Sequence, residues 1–229
     1  MFHWRADILP GVSAAFTDAQ AGNLALHVGD DPAAVHMRRE RLEHSVGLAS
    51  RSLRFMNQVH GTTVALMNAE TPAPEADAMV SRGLPLAVMV ADCIPVLLTG
   101  ESGAGPVLAA VHAGRPGIAQ GVIPAAVDTM ESLGATRIRA WLGPSICGAC
   151  YEVPAALRDE VAAAVPATRS TTSWGTPALD LPAGARSQLE AAGVDVEYTG
   201  GCTLETESLY SYRRNPTTGR FAGLLWCHD

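Results

Sequence analysis

The 229-residue sequence has few aromatic side chains and no long hydrophobic run. A membrane-spanning helix needs about 18 or more consecutive apolar residues. The most apolar stretch, residues 84–98, is interrupted by Pro85, Asp92, Cys93 and Pro95. Residues 1–5 also lack the basic-then-apolar pattern of a secretory signal. We therefore predict a cytoplasmic protein that has no membrane as a partner.

Positive charge is also scarce, since 16 basic residues face 23 acidic ones and the formal net charge is −7. The basic residues are scattered, apart from short clusters within residues 38–41 and 213–214. Proteins that bind nucleic acid gain most of their affinity by neutralising phosphates. The sequence therefore predicts no nucleic-acid partner, although one or two local arginines can hold a small anion. The charge pattern gives no information about the oligomeric state.

Cysteine occurs only five times, and an odd count in a chain of this size argues against a disulfide scaffold. Cys147 and Cys150 form one C-x-x-C pair, and no second pair follows at the spacing of a zinc ribbon. Cys202 and Cys227 stand alone in the sequence. We expect these four cysteines to be small buried hydrophobes. A structural zinc or a redox role for the pair is the alternative.

Apolar periodicity, turn residues and β-branched content predict four helices and nine strands. The helices are predicted over residues 32–46, 118–133, 154–165 and 183–192. The strands are predicted over residues 54–56, 62–67, 78–80, 86–90, 95–98, 107–111, 138–142, 194–198 and 223–226. Residues 168–176 are predicted to form a surface loop. We expect an α+β fold, one domain over residues 1–229, in which mixed β-sheets pack between outer helices.

Three candidate metal ligands, His60, Cys93 and His112, each stand at the end of a predicted strand or in the corner beside one. Their separations of about 20 to 30 residues are far longer than the ligand spacing of a zinc finger, so tertiary folding would have to bring them together. A catalytic zinc takes three protein ligands and leaves a fourth position open. A thiolate after a buried strand also needs a cation beside it. The alternative is that each histidine is a structural residue that forms hydrogen bonds at a strand end and binds no metal.

Other polar residues are candidates for orienting the metal ligands or for binding a substrate. Asp92 precedes Cys93 and either orients a ligand histidine or caps a turn. Gln58 shares a face with His60 in an extended chain and could hydrogen-bond a ligand. Arg213 and Arg214 lie in a turn-rich segment and suit phosphate or carboxylate recognition. The alternative for these arginines is a solvated charged turn.

A set of short motifs spread over most of the chain resembles the YfiH family, also known as multicopper polyphenol oxidoreductase, laccase-like, and purine nucleoside phosphorylase. The motifs follow one another in the family's order. They are Asn57-Gln58-Val59-His60-Gly61, Glu75-Ala76-Asp77-Ala78, Ala91-Asp92-Cys93-Ile94-Pro95, Ala110-Val111-His112-Ala113-Gly114, Leu142-Gly143-Pro144-Ser145-Ile146, Cys150-Tyr151-Glu152-Val153 and Ser211-Tyr212-Arg213-Arg214.

The resemblance implies a zinc site made from His60, Cys93 and His112. It also implies phosphorolysis of adenosine, inosine, guanosine and methylthioadenosine, and deamination of adenosine. The partners would then be purine nucleosides and phosphate. With this activity in mind, we predict catalytic roles for the three ligands and Asp92. The predicted substrate-binding residues are Gln58, Asp77, Arg115, Arg213 and Arg214.

One segment departs from the family's usual pattern. The family reads His-Ala-Gly-Trp-Arg-Gly after its third ligand, whereas this chain reads His112-Ala113-Gly114-Arg115-Pro116-Gly117. The arginine therefore comes one position early, and proline stands in its usual place. Either Arg115 reaches the same ligand from a shifted backbone, or Arg213 and Arg214 hold the anion alone.

Three other functions compete with the zinc enzyme. The first is a cysteine hydrolase acting on peptidoglycan precursors, with Cys93 as nucleophile and His112 or His60 as base. The second is a laccase-like copper oxidase, which the sequence disfavours because its other five histidines show no His-x-His pairing. The third is a binding module that zinc stabilises without catalysis. Zinc is thus the predicted cofactor, and copper is the less favoured metal.

Overall fold

The computed structural model describes residues 1–48 and 52–228, and all statements about the fold refer to these residues. The strands are β1 Phe2–Leu9, β2 Val12–Thr17, β3 Val64–Met67, β4 Ala78–Ser81, β5 Leu86–Val90, β6 Ile94–Glu101, β7 Val107–Ala113, β8 Thr136–Leu142, β9 Arg169–Thr171, β10 Pro177–Leu179, β11 Asp195–Tyr198 and β12 Phe221–Cys227. The helices are α1 Pro32–Ser45, α2 Arg115–Gln120, α3 Val122–Ser132, α4 Ala155–Ala164 and α5 Leu181–Ala191.

Two sheets form the centre of the molecule. The larger has six strands in the order β11-β8-β6-β7-β4-β3, and the smaller has four in the order β1-β2-β12-β5. The six-stranded sheet is mixed, because β3 runs parallel to β4 and β11 runs parallel to β8 while the other pairs are antiparallel. The predicted α+β class with mixed sheets is confirmed.

The layers follow from the alternation of side chains along each strand. In β6, Val96 and Leu98 belong to a core that also contains residues of α3 and α5, whereas Leu97 joins Phe16 and Trp141 in the core between the two sheets. A third core covers the outer face of the four-stranded sheet and includes residues of α1. Helices therefore flank both sheets, and the central strands are buried on both faces.

Most predicted elements are present. The first predicted helix is α1, where the Asp31 carboxylate accepts a hydrogen bond from the Ala33 backbone N–H (3.1 Å) and proline occupies the first helical position. The predicted helix over residues 118–133 is wrong in one respect. It starts earlier and is two helices, α2 and α3, which meet at Gly121 with φ 90°. This left-handed backbone is accessible to glycine and ends the first helix.

Three strand predictions need correction. The segment over residues 54–56 makes only a single bridge, from Arg54 to Leu86, and is not a regular strand. Strands β1 and β2 were not predicted. Strand β2 is buried along its whole length and shows no alternating pattern, whereas β1 does alternate and was missed. The predicted loop over residues 168–176 contains β9, which pairs with β10.

Within the described ranges, no helix is both long and apolar enough to cross a membrane.

Strands β6 and β7 position the predicted metal ligands. They are antiparallel neighbours, with Ile94 opposite Ala113 and Pro95 opposite His112. Cys93, immediately before β6, therefore lies beside the end of β7 that carries His112. On the other side of β7, Ala78 pairs with Val111, which brings Asp77 to the same edge of the sheet.

Candidate metal centre and substrate cavity

The fold brings His60, Cys93 and His112 together. One ligand atom from each residue lies within 4.8 Å of the other two. Cys93 Sγ is 3.8 Å from His60 Nε2, and the two imidazole rings are edge to face with centroids 4.6 Å apart. His112 is buried, Cys93 is half-buried and His60 is exposed. The group is therefore reachable from solvent on one side, as an open metal site requires.

A buried carboxylate, Asp77, holds two of these three residues in place. One Asp77 oxygen lies 2.7 Å from His112 Nδ1. The same carboxylate accepts backbone N–H groups from Val59 (3.3 Å), His60 (2.9 Å) and Gly61 (2.6 Å). Because Nδ1 donates to Asp77, Nε2 of His112 is the nitrogen that would bind a metal, which is the usual arrangement for a histidine ligand.

His60 adopts a backbone conformation that non-glycine residues seldom take, with φ 62°. Such a conformation costs about 1–3 kcal/mol and persists only where the surroundings impose it. The N–H groups of His60 and its two neighbours all point at Asp77, so the carboxylate imposes this conformation. The loop thereby directs the His60 ring toward Cys93.

Gly114 leaves the space that the three ligands occupy. Its backbone is ordinary, with φ −78° and ψ 167°. A Cβ at this position would lie 2.8 Å from His60 Cδ2 and 3.3 Å from Cys93 Sγ. The first distance is shorter than real Cβ contacts allow. The glycine is needed for room beside the ligands and not for its conformational freedom.

The electrostatics of the group favour a thiolate. Burial opposes ionisation of Cys93, but His112 and His60 lower the pKa of its thiol to about 6. Burial likewise opposes protonation of His112, while the Cys93 thiolate and Asp77 raise the pKa of that imidazole to about 9. Without a metal, Cys93 and His112 thus form a thiolate–imidazolium pair near neutral pH. A metal cation would replace the imidazolium proton as the partner of the thiolate.

The donor set fits a soft or borderline metal ion. Two imidazole nitrogens and one thiolate suit zinc or copper, whereas magnesium and calcium prefer oxygen ligands. The space beside Gly114 and the hydrogen-bonded His112 meet the further requirements of a built site. This residue group can therefore hold a metal ion.

A cavity of about 560 Å³ opens over the three ligands. This volume lies in the range of small-molecule sites. Predicted site residues that line it are Gln58, Asp92, Arg115 and Arg213, together with the three ligands. The polar and aromatic lining residues that were not predicted as site residues are His27, Tyr151, Tyr212 and Arg220.

Asp92 lines the cavity but does not orient a ligand histidine. Its carboxylate accepts hydrogen bonds from the Thr203 hydroxyl (2.6 Å) and the Arg213 backbone N–H (2.7 Å). Its backbone also has positive φ, 83°. Both of these donors are more than a hundred residues away in the chain, so the Asp92 carboxylate joins distant segments, and the carboxylate that contacts a ligand histidine is Asp77. Asp92 thus ties the segment that carries Arg213 to the corner that carries Cys93.

Gln58 is also held by backbone groups. Its amide N–H donates to the Met89 carbonyl (2.6 Å), and its amide oxygen accepts from the Met89 backbone N–H (2.9 Å). This reciprocal pair joins the loop of His60 to strand β5. The amide therefore fixes one wall of the cavity.

Arg213 and Arg214 lie in different surroundings. The Arg213 guanidinium donates to the Glu152 carbonyl (2.7 Å) and lies 4.9 Å above the Tyr151 ring, at the edge of the cavity. The Arg214 guanidinium donates to four backbone carbonyls and is not part of the cavity lining. These carbonyls belong to Thr203, Leu204, Thr206 and Leu209. Arg214 thus holds the loop over residues 203–209.

Arg220 completes the basic wall that Arg115 and Arg213 begin, and His27 lines the same cavity. Burial lowers the pKa of Arg220, which donates to the Thr218 (2.8 Å) and Gly219 (3.1 Å) carbonyls. Burial and then the charge of Arg220 lower the pKa of His27, so this imidazole is neutral near pH 7. Arg220 belongs to the same turn-rich segment as Arg213 and Arg214, so its place in the sequence was a sign that it could join them. His27 stood in a polar loop whose spacing carried no such signal.

Comparison with known proteins places the whole chain in one family. Residues 4–228 match the model of the family described as multi-copper polyphenol oxidoreductase laccase. A relative from Streptomyces griseus, named purine nucleoside phosphorylase, is 49% identical over 98% of this chain and 98% of its own length. A protein named purine nucleoside phosphorylase YfiH, from Shigella flexneri, is 38% identical over 89% of this chain and 85% of its own.

Solved structures share the fold. A protein from Neisseria meningitidis assigned to family DUF152 superposes with a TM-score of 0.84 at 35% identity, covering 99% of both chains. YlmD from Geobacillus stearothermophilus gives a TM-score of 0.84 at 28% identity, covering 98% of this chain and 94% of its own. The chain thus belongs to the YfiH family, whose model carries the description multi-copper polyphenol oxidoreductase laccase.

Proposed function

We propose that this protein is a zinc-dependent purine nucleoside phosphorylase that also deaminates adenosine and phosphorolyses methylthioadenosine. The observation that carries the proposal is the position of His60, Cys93 and His112 in a cavity whose walls bear three arginines and two tyrosines. The names of the relatives support the same reaction class. The substrates would be purine nucleosides and inorganic phosphate.

Zinc is the metal that we propose for the triad. It accepts two imidazoles and one thiolate and keeps a fourth position open, and the triad faces a cavity. A laccase couples several copper ions and needs further histidine ligands. Among residues 1–48 and 52–228, the triad is the one group of possible metal ligands that contains histidine. Zinc, when bound here, would supply a Lewis acid and lower the pKa of water.

The basic wall of the cavity suits phosphate. Arg115, Arg213 and Arg220 all line it, and guanidinium groups bind phosphate through paired hydrogen bonds. In phosphorolysis, a phosphate oxygen bonds to C1′ of the ribose as the bond from C1′ to the purine nitrogen breaks. The departing purine takes up a proton. The arginines would hold the phosphate, and Arg115 would do so despite its shifted place in the chain.

The other lining residues suit a nucleoside. Tyr151 and Tyr212 offer aromatic faces, and stacking of a base on such a face is worth about 1–3 kcal/mol. Neutral His27 offers one donor and one acceptor to the substrate. Asp77 would act by positioning His112 and the loop of His60. Asp92 and Gln58 would act in the same way on the cavity walls.

The test is to incubate metal-quantified protein with adenosine, with and without phosphate, and to separate the products by chromatography. We expect adenine only when phosphate is present and inosine in both mixtures. His60→Ala and Cys93→Ala should lose the zinc of the triad and both activities. Full turnover by zinc-free protein, or no conversion of any nucleoside by the zinc-loaded protein, would contradict the proposal.

A second function is favoured by one observation. The Cys93 thiol has its pKa lowered to about 6 and faces His112, as in hydrolases that use a cysteine nucleophile. Such an enzyme would form an acyl bond to Cys93 and release an amine from a peptidoglycan precursor. Mass spectrometry of protein mixed with such a precursor would reveal the acyl adduct. Stoichiometric zinc on Cys93 would argue against it.

A further inference from the structure

We propose that Cys147, Cys150 and Cys202 form a second metal site, a structural zinc site whose fourth ligand is the Glu205 carboxylate. One ligand atom from each of the four residues lies within 4.8 Å of the other three. The sequence placed Cys202 alone, more than fifty residues from the pair, and the fold brings it to them. This group is separate from the triad and from the cavity lining.

Backbone pairing builds the group. Ser145 and Cys202 form a parallel bridge, in which the Ser145 N–H donates to the Gly201 carbonyl (3.2 Å) and the Thr203 N–H donates to the Ser145 carbonyl (3.0 Å). Cys147 follows Ser145 by two residues, so its side chain comes to Cys202. Main-chain hydrogen bonds therefore bring the chain segments of Cys147 and Cys202 together.

The loop between the paired cysteines has a defined turn. The Cys150 N–H (3.0 Å) and the Tyr151 N–H (2.9 Å) both donate to the Cys147 carbonyl. The Cys147 N–H is 3.5 Å from Cys202 Sγ and donates to it. This contact fixes the Cys202 sulfur beside the turn that carries the other two cysteines. The turn thus presents two sulfurs and holds the third next to them.

The ligand chemistry indicates zinc. A C-x-x-C pair with one distant cysteine is a common ligand pattern for structural zinc, and a carboxylate oxygen can complete the tetrahedron. Three thiolates exclude magnesium and calcium, which require oxygen ligands. Cys150 is buried, Cys147 and Cys202 are half-buried and Glu205 is exposed, so the carboxylate would close the site on its solvent side. On binding, the thiols release their protons to solvent.

A disulfide explains the group less well. Each of the three cysteines is a free thiol in the structure. A disulfide would join two of the sulfurs and leave the third cysteine as a thiol next to the bond. Four potential ligands match the coordination number of zinc.

The site would fasten the wall of the substrate cavity. Ile146 and Tyr151, on either side of the cysteine turn, both line the cavity. The Ile146 N–H donates to the Asp92 carbonyl (3.0 Å), and Thr203, next to Cys202, donates to the Asp92 carboxylate. A metal on these cysteines would therefore clamp two loops that contact the corner of Cys93. The inference depends on the fold and stands whatever reaction the triad catalyses.

The test counts zinc per chain by elemental analysis after reconstitution with zinc and removal of excess metal. We expect one ion for each of the two ligand groups. His60→Ala with Cys93→Ser should keep one ion, because only the cysteine group remains. Cys202→Ser should also keep one ion, the one bound by the triad. Cys227→Ser is the matched control and should keep both.

Two measurements make the outcome decisive even if Cys202→Ser fails to fold. Cobalt added to the His60→Ala, Cys93→Ser protein should give intense thiolate-to-cobalt absorption, and chelation should lower the melting temperature of this zinc-loaded variant. No bound metal in that folded variant would overturn the proposal. So would a disulfide among the three cysteines, found by mass spectrometry of protein prepared in reducing buffer and then reconstituted with zinc.

Discussion

Asp77 hydrogen-bonds His112 at 2.7 Å and also receives the three backbone N–H groups of the loop that carries His60. One buried carboxylate therefore positions two of the three candidate metal ligands. Burial would raise the pKa of Asp77, but the hydrogen bonds from His112 and from the loop hold it below its usual range. The carboxylate is thus ionised, and its acceptor capacity is fully used.

Asp77→Asn should weaken zinc binding by roughly 10- to 100-fold, because the amide loses the charge and one acceptor oxygen while its volume is unchanged. Competition with a chelator of known affinity would measure the change. Asp159→Asn is the control, since Asp159 forms only exposed ion pairs with Arg158 and Arg169. Equal affinities for the two variants would contradict a positioning role for Asp77.

Gly114→Ala should also weaken zinc binding, by at least about tenfold, through a different cause. The added methyl would overlap His60 Cδ2 and push the ring from the group. Because the backbone of Gly114 is ordinary, the variant should fold normally by circular dichroism. Gly103→Ala, where a Cβ would meet nothing within 4 Å, should bind zinc like the parent protein. Unchanged zinc affinity in Gly114→Ala would show that the ligands have more room than the structure gives them.

Substitution of the arginines that line the cavity should affect phosphate binding, whereas substitution of Arg214 should affect stability. Arg115→Ala, Arg213→Ala and Arg220→Ala should each raise the KM for phosphate by roughly 10- to 100-fold, the value of a charge-assisted hydrogen bond. Arg214→Ala should instead lower the melting temperature, because its guanidinium serves four backbone carbonyls. Arg186→Ala, which removes an exposed pair with Glu190, is the control for both measurements. A larger rise in KM for Arg214→Ala than for the lining arginines would refute this division.

Zinc removal should expose a reactive thiolate. In metal-free protein, alkylation of Cys93 by iodoacetamide should accelerate as pH rises through about 6, because the thiolate is the nucleophile and forms above that pKa. Zinc should slow the reaction at every pH, since it occupies the sulfur. Peptide mapping would follow Cys93 separately from the other cysteines. Equal rates with and without zinc would mean that Cys93 is not a ligand.

Some of this architecture was predictable because local sequence determines it. The start of α1 follows from Asp31 and Pro32, whose side chains act within one turn. The corners that carry His60, Cys93 and His112 were visible because each adjoins a buried strand or a glycine. The break at Gly121 was missed, since the apolar pattern continues across it.

The walls of the cavity depend on contacts between distant segments, which a single sequence does not display. Arg220 comes to the cavity because its backbone N–H donates to the Asn23 side chain, almost two hundred residues away in the chain. His27 lies just beyond that same asparagine. The role of Asp77 was likewise hidden, because it depends on β4 lying next to β7. Cys202 joined its partners through the bridge to Ser145, which no spacing rule foretells.

The pairing of β6 with β7 has a consequence for how the length of this chain can change. Each strand is hydrogen-bonded on both sides, β6 to β7 and β8, and β7 to β6 and β4. A residue inserted or deleted within either strand would move Pro95 away from His112 and turn every following side chain to the opposite face. The connecting turn at residues 102–106 is at the surface and far from the ligands along both strands. Length variation in this hairpin is therefore confined to its turn, and the distance between Cys93 and His112 stays fixed while the tip is free to diverge.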